Sequence, residues 1–197
     1  MIDRDRLSSL RADEEARFVD LHPRSAALAE EARGALLSGV PMPWMTRWPG
    51  SFPITVDTAT GARLVDVDGI EYVDLCLGDT GAMTGHALPG VADAVAQRAR
   101  AGVTTMLPST DATWCAEELA RRFGLPRWQF ALSATDANRF VLRFARHLTG
   151  RPRVAVMDWC YHGTVDETFA VLDADAVVPR PGSMGPQVDP VITTAVL

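Results

Sequence analysis

One helix pattern sets the fold class of this chain. Over residues 135–148, Ala137, Phe140, Val141, Phe144, Ala145 and Leu148 recur at i, i+3, i+4 spacing with arginines on the other side, and the pattern stops at Gly150 before Pro152. Short β-forming runs flank it at 128–132 and 154–157, and a helical turn is expected over 164–169. Strand, helix, strand at this spacing is the mark of a parallel sheet with crossover helices. The expected class is therefore α/β.

The remainder reads in three stretches. Residues 3–37 are rich in Arg, Glu, Ala and Leu and break at His22-Pro23, which predicts two helices, the second from about Ser25 to Leu36 and ending near Gly39. Residues 41–50 hold three prolines and two tryptophans, so an irregular segment held by its aromatics is expected. Alternation around Thr60-Gly61 and Asp68-Gly69 then predicts a small antiparallel meander. Helices follow from Pro89, with Val91, Ala94, Val95 and Ala99 on one face, and from about Asp111 to Phe123, with Trp114, Leu119 and Phe123 together. The expected division is an N-terminal helical arm plus meander (1–88) and the first part of a larger domain (89–197), whose sheet is incomplete. Residues 179–190, with four prolines and two glycines, are expected to be loop.

Composition narrows the partners. A net charge of −6 argues against nucleic acid and anionic membrane. The arginines Arg139, Arg143 and Arg146 fit a solvated helix face. The charged N-terminus leads into no signal-like apolar run and no stretch approaches bilayer-spanning length, so a cytoplasmic protein is expected. Cys76, Cys115 and Cys160 are odd in number and widely spaced, pointing to reduced thiols rather than a disulfide framework or zinc site.

Two stretches carry candidate chemistry. Ser133-Ala134-Thr135 stands at a strand-to-helix junction, where first-turn amides and the helix dipole make an anion site; on local sequence alone a plain N-cap with Asp136 in the first turn fits better. Tyr161-His162-Gly163 follows the next strand and so emerges at the same carboxyl edge, where an aromatic lies well against a planar ring. A Ser133–His162–Asp158 triad lacks the Gly-x-Ser-x-Gly elbow, and Cys160 with His162 has no assured ion-pair geometry.

The order Gly39-Val40-Pro41, Asp68-Gly69-x-Glu71-Tyr72-Val73-Asp74, Gly85-His86, Ser133-Ala134-Thr135-Asp136-Ala137, Ala145-Arg146-x-x-Thr149-Gly150-Arg151 and Tyr161-His162-Gly163 resembles the N-terminal part of class III, fold type I pyridoxal-phosphate enzymes of the glutamate-1-semialdehyde aminomutase-like group. The resemblance covers about residues 25–195. It implies pyridoxal 5'-phosphate as cofactor, with Ser133, Ala134 and Thr135 on its phosphate, Tyr161 stacked on its ring and His162 completing the motif. Ala134 stands where the family usually has glycine, and Asp136 where it usually has glutamate. Asp79 replaces an aromatic that contacts substrate in the aminomutases, and Arg47 lies near the family's carboxylate-binding arginine; both are candidates for contact with a small amino substrate.

The resemblance also exposes a gap. The family's Schiff-base lysine lies beyond the matching region, and these 197 residues contain no lysine, all 19 basic residues being arginine. No catalytic residue is therefore assigned here. The expected function is the cofactor-cradling subunit of a split aminotransferase or aminomutase. A complementary C-terminal-half polypeptide would carry the lysine, in a heterotetramer with two copies of each chain. The alternative is a truncated or degenerate, non-catalytic homologue acting as an interaction subunit.

Overall fold

Asp3 opens the first helix by accepting hydrogen bonds from the amides of Asp5 and Arg6, each at 3.1 Å. Helix α1 (Arg4–Leu21) ends at His22, and Pro23 begins α2 (Pro23–Ala32), where its missing N–H costs nothing. The break falls where the sequence places it, but α2 starts two residues before the expected Ser25 and ends four before the expected Leu36. After Ala32 the amides of Arg33, Gly34 and Ala35 turn to carbonyls three residues back, the tightening that precedes a helix end. The structure is a computed structural model describing residues 3–183, and it divides after Met106 into two units.

In the first unit, β1 (Val56–Thr60), β2 (Arg63–Asp66) and β3 (Glu71–Val73) form the expected antiparallel meander in that order. The turn between β2 and β3 caps α2 from more than forty residues away. Asp68 accepts the amides of Arg24 at 2.7 Å and Ser25 at 3.0 Å. Burial would raise the Asp68 carboxyl, but those amides outweigh it and hold the group below its ordinary value.

The centre of this unit is polar as much as apolar. Buried Asp66 accepts the Ile70 amide at 2.9 Å and the Tyr72 hydroxyl at 2.8 Å, and that hydroxyl lies 2.6 Å from Nε2 of buried His22. Nδ1 of His22 faces the Phe18 carbonyl at 2.6 Å, and because a carbonyl only accepts, this nitrogen carries the proton. Phe18 also meets Phe52, ring centroids 5.1 Å apart. Around residues 41–50 the backbone makes a 3-10 turn, Pro43–Arg47, rather than a wholly irregular segment. Both tryptophans there are exposed, so the aromatics do not hold it as expected. Helix α3 (Pro89–Ala101) follows, with Val91 and Val95 exposed.

The second unit contains α4 (Thr110–Phe123) and α5 (Ala134–Thr149), each ending at a left-handed glycine, Gly124 and Gly150. Residues 128–132 and 154–157 belong to no hydrogen-bonded ladder among the described residues. The parallel pairing read from the sequence is thus absent there: each run lacks a strand beside it. Instead β4 (Ala170–Asp173) and β5 (Ala176–Pro179) pair as an antiparallel hairpin that the sequence reading did not anticipate. Its turn, Ala174-Asp175, has both residues at positive φ, a primed-turn geometry without the usual glycine. The 164–169 turn appears as a 3-10 turn, Asp166–Thr168. Pro179 ends β5, and most of the loop expected over 179–190 lies outside the described residues.

The apolar stripe of α5 exists as read, but Phe140, Val141, Phe144 and Leu148 are 52–82% exposed. The opposite, polar face makes the side-chain hydrogen bonds that tie α5 to residues 152–167.

Candidate functional site

Ser133 is the N-cap of α5. Its hydroxyl accepts the Asp136 amide at 3.2 Å and donates to the Asp136 carboxylate at 2.9 Å, which commits the side chain to the cap. The amides of Ala134 and Thr135 make no hydrogen bond among the described residues, as expected for the first helical positions. They carry the positive end of the helix dipole.

Thr135 is differently engaged. Its Oγ1 accepts the amide of Thr164 at 3.1 Å, so the hydroxyl proton is still available to a second partner. One turn along, Asn138 Nδ2 donates to the His162 carbonyl at 3.0 Å and Arg139 Nη2 to the Thr164 carbonyl at 3.2 Å. Further along, Arg146 pairs with Glu167 at 2.6 Å and donates to the Pro152 carbonyl at 2.9 Å. The Arg146 guanidinium holds the Glu167 carboxyl below its ordinary range. Arg139 and Arg146 are therefore not a merely solvated face: they fasten residues 162–167 to α5. Thr135, Asn138, Arg139 and Arg146 lie on one side of the helix, and their i, i+3, i+4, i+11 spacing is the signal that could have identified Asn138.

Gly163 makes that contact feasible. It sits at φ +79°, and a β-carbon there would lie 2.9 Å from Thr135 Cα and closer still to Thr135 Oγ1. Only glycine fits both the left-handed backbone and the approach. Two site residues, Tyr161 and His162, directly precede Gly163. Tyr161 is exposed, with no hydrogen bond among the described residues, whereas Nε2 of half-buried His162 is buried and unpartnered. A buried nitrogen without a partner is costly and calls for a polar group beside it.

Ser133, Ala134, Thr135, Tyr161 and His162 thus lie together in the second unit. Arg47 ends the Pro43–Arg47 turn, and Asp79 stands at φ +53°, both exposed in the first unit. The exposed Cys160 leads directly into Tyr161 and donates its amide to the Met157 carbonyl at 3.2 Å.

The aminotransferase class-III family matches residues 44–193, three quarters of the chain. The chain belongs to the class III aminotransferases. It is 35% identical over 145 residues to the glutamate-1-semialdehyde 2,1-aminomutase of Desulfitobacterium hafniense, a match covering 73% of this chain and 34% of that enzyme. The crystal structure of a glutamate-1-semialdehyde-aminomutase from Pseudomonas aeruginosa is 54% identical, with a TM-score of 0.87 over 92% of this chain and 40% of its own. A variant of that enzyme in complex with PMP gives a TM-score of 0.88. A β-phenylalanine aminotransferase from Variovorax paradoxus is 28% identical, with a TM-score of 0.74 over 86% of this chain and 39% of its own. The fold is accordingly part of fold type I, and this class III chain spans well under half the length of these relatives. No helix among its described residues is long and apolar enough to cross a membrane.

Proposed function

We propose that this chain is the phosphate- and ring-holding part of a pyridoxal-phosphate-dependent aminotransferase or aminomutase. The observation that carries this reading is the clasp between α5 and residues 162–164. It brings two unpaired helix amides and a hydroxyl with a proton to give against the loop that carries an exposed tyrosine and an orphaned histidine nitrogen. A phosphate ester on a planar heterocycle matches that donor set.

The geometry of α5 and residues 161–164 supports these proposed roles. The Ala134 and Thr135 amides and the Thr135 hydroxyl donate to the phosphate, with the helix dipole favouring its charge. Ser133 holds the helix end and is not itself a side-chain donor to phosphate, which refines the role the resemblance implies. Tyr161 covers one ring face and shields it from water. His162 Nε2 gains its missing polar partner. Once bound, the cofactor supplies an electron sink for bond breaking at an amine-bearing carbon. Arg47 and Asp79 are the proposed contacts for a small amino substrate. The proposed reaction is amino-group transfer.

That chemistry requires an amine nucleophile, and these residues contain no lysine. We place it on a complementary polypeptide, in a complex with two copies of each chain. The apolar stripe of α5 supports such a partner: Phe140, Val141, Phe144 and Leu148 are 52–82% exposed on one helix face.

Co-expression with a polypeptide carrying the rest of the class III fold tests this. The expected product is a soluble complex in which borohydride fixes the cofactor to a lysine of the complement. A stable monodisperse monomer that ignores the complement would overturn the split arrangement and favour a non-catalytic homologue.

A further inference from the structure

Trp159 occupies the left-handed region at φ +59°, an unfavourable conformation for a bulky residue, two positions before Tyr161. Something must hold it there. The β4–β5 hairpin supplies two ties, one on each side. Asp158 Oδ1 accepts the Leu172 amide of β4 at 3.0 Å. Arg180, directly after β5, donates from Nη1 to the Cys160 carbonyl at 3.0 Å and lays its guanidinium over the Trp159 ring, 5.7 Å from the centroid. The arginine is itself anchored, its amide donating to the Phe169 carbonyl at 3.0 Å. One side chain thus makes a charge-assisted hydrogen bond and a cation–π contact to consecutive residues.

Beyond Tyr161, α5 takes over through Asn138, Thr135 and Arg139. From Asp158 to Thr164, Tyr161 makes no hydrogen bond or ring contact of its own among the described residues, and Gly163 is held only by its close approach to Thr135. The position of the Tyr161 backbone is set by the ties on either side, at Cys160 and His162.

We infer that Arg180 is a positioning residue for Tyr161: by holding the strained Trp159-Cys160 turn from the hairpin, it aims the tyrosine ring at the cofactor. This rests on the function proposed above for Tyr161, but the brace itself stands on the geometry alone. Arg180 touches no proposed ligand contact and acts only through the turn.

The test compares Arg180→Gln and Arg180→Lys with wild type in the full chain. Hydrogen exchange is read at individual amides, together with affinity for pyridoxal 5'-phosphate and for inorganic phosphate. In Arg180→Gln the Cys160 and Leu172 amides should exchange about tenfold faster, as expected when one charge-assisted tie is lost. The Lys variant, which keeps the cation, should recover part of the protection, while amides within α5 stay unchanged. Affinity for pyridoxal 5'-phosphate should fall about tenfold, with no further loss when Arg180→Gln is added to Tyr161→Ala. Affinity for inorganic phosphate, which has no ring, should not move. Unchanged exchange in Arg180→Gln overturns the brace. Additive losses with Tyr161→Ala overturn the positioning role and make Arg180 a direct contact. Faster exchange in a protein that binds no pyridoxal 5'-phosphate leaves the brace standing and removes the functional reading.

Discussion

Thr135 Oγ1 and the Thr164 amide are hydrogen-bonded at 3.1 Å, a link between the first turn of α5 and the loop that presents Tyr161. The hydroxyl accepts here and can donate outward in the same geometry. Thr135→Val removes both functions, whereas Thr135→Ser keeps both. The Thr164 amide should therefore exchange about tenfold or more faster in the valine variant and near wild-type rate in the serine variant, consistent with loss of one net hydrogen bond. NMR exchange at that amide decides it, and equal rates in all three proteins would show that the link is not made.

Gly163→Ala attacks the same clasp from the other side. The added methyl meets the Thr135 backbone at 2.9 Å, and φ of +79° is itself disfavoured for alanine. Overpacking against a helix costs on the order of 1–3 kcal/mol, so the loop should detach from α5 before the helix unfolds. Proteolytic nicking confined to residues 158–166 at native helical content is the expected sign. Wild-type resistance would mean the approach is looser than described.

Tyr72 gives the first unit an alkaline limit. Burial first, then the hydrogen bond to Asp66 and the charges of Asp66 and Asp68, push its phenol up to about 12, above the unfolded value of about 10. Folding favours the neutral phenol, so this contribution is complete below about pH 10 and is lost as pH rises through about 12. Tyr72→Phe should abolish the ultraviolet phenolate transition near pH 12. At neutral pH it should also destabilise the unit by about 1–3 kcal/mol, because Asp66 loses a buried donor. A wild-type protein with no phenolate transition near pH 12 would contradict the network.

Local rules made much of this legible. Period-two alternation around Thr60-Gly61 and Asp68-Gly69 fixed the meander, and His22-Pro23 fixed the break between α1 and α2. The stripe of Phe140, Val141, Phe144 and Leu148 fixed α5, and the junction at Ser133–Thr135 marked where a helix end would meet the Tyr161 loop. What escaped depends on contacts distant in sequence. Asp68 caps α2 across more than forty residues, and Arg180 reaches back about twenty to Cys160. Arg139 and Arg146 read as solvated because no local pattern reveals the carbonyls they serve. The Ala174-Asp175 turn lacks a glycine, so the hairpin left no turn signal.

The central claim is that α5 and Tyr161 hold the cofactor, and titration of pyridoxal 5'-phosphate into the assembled complex tests it most directly. Thr135→Val should lose one charge-assisted hydrogen bond to phosphate, about 1.5–3 kcal/mol or roughly tenfold to a hundredfold in affinity. Tyr161→Ala should weaken binding to a comparable degree by removing the stacking face, while Cys160→Ala should bind as wild type does. Wild-type affinity in Thr135→Val and Tyr161→Ala, with a large loss in Cys160→Ala, would place the cofactor elsewhere and contradict the account.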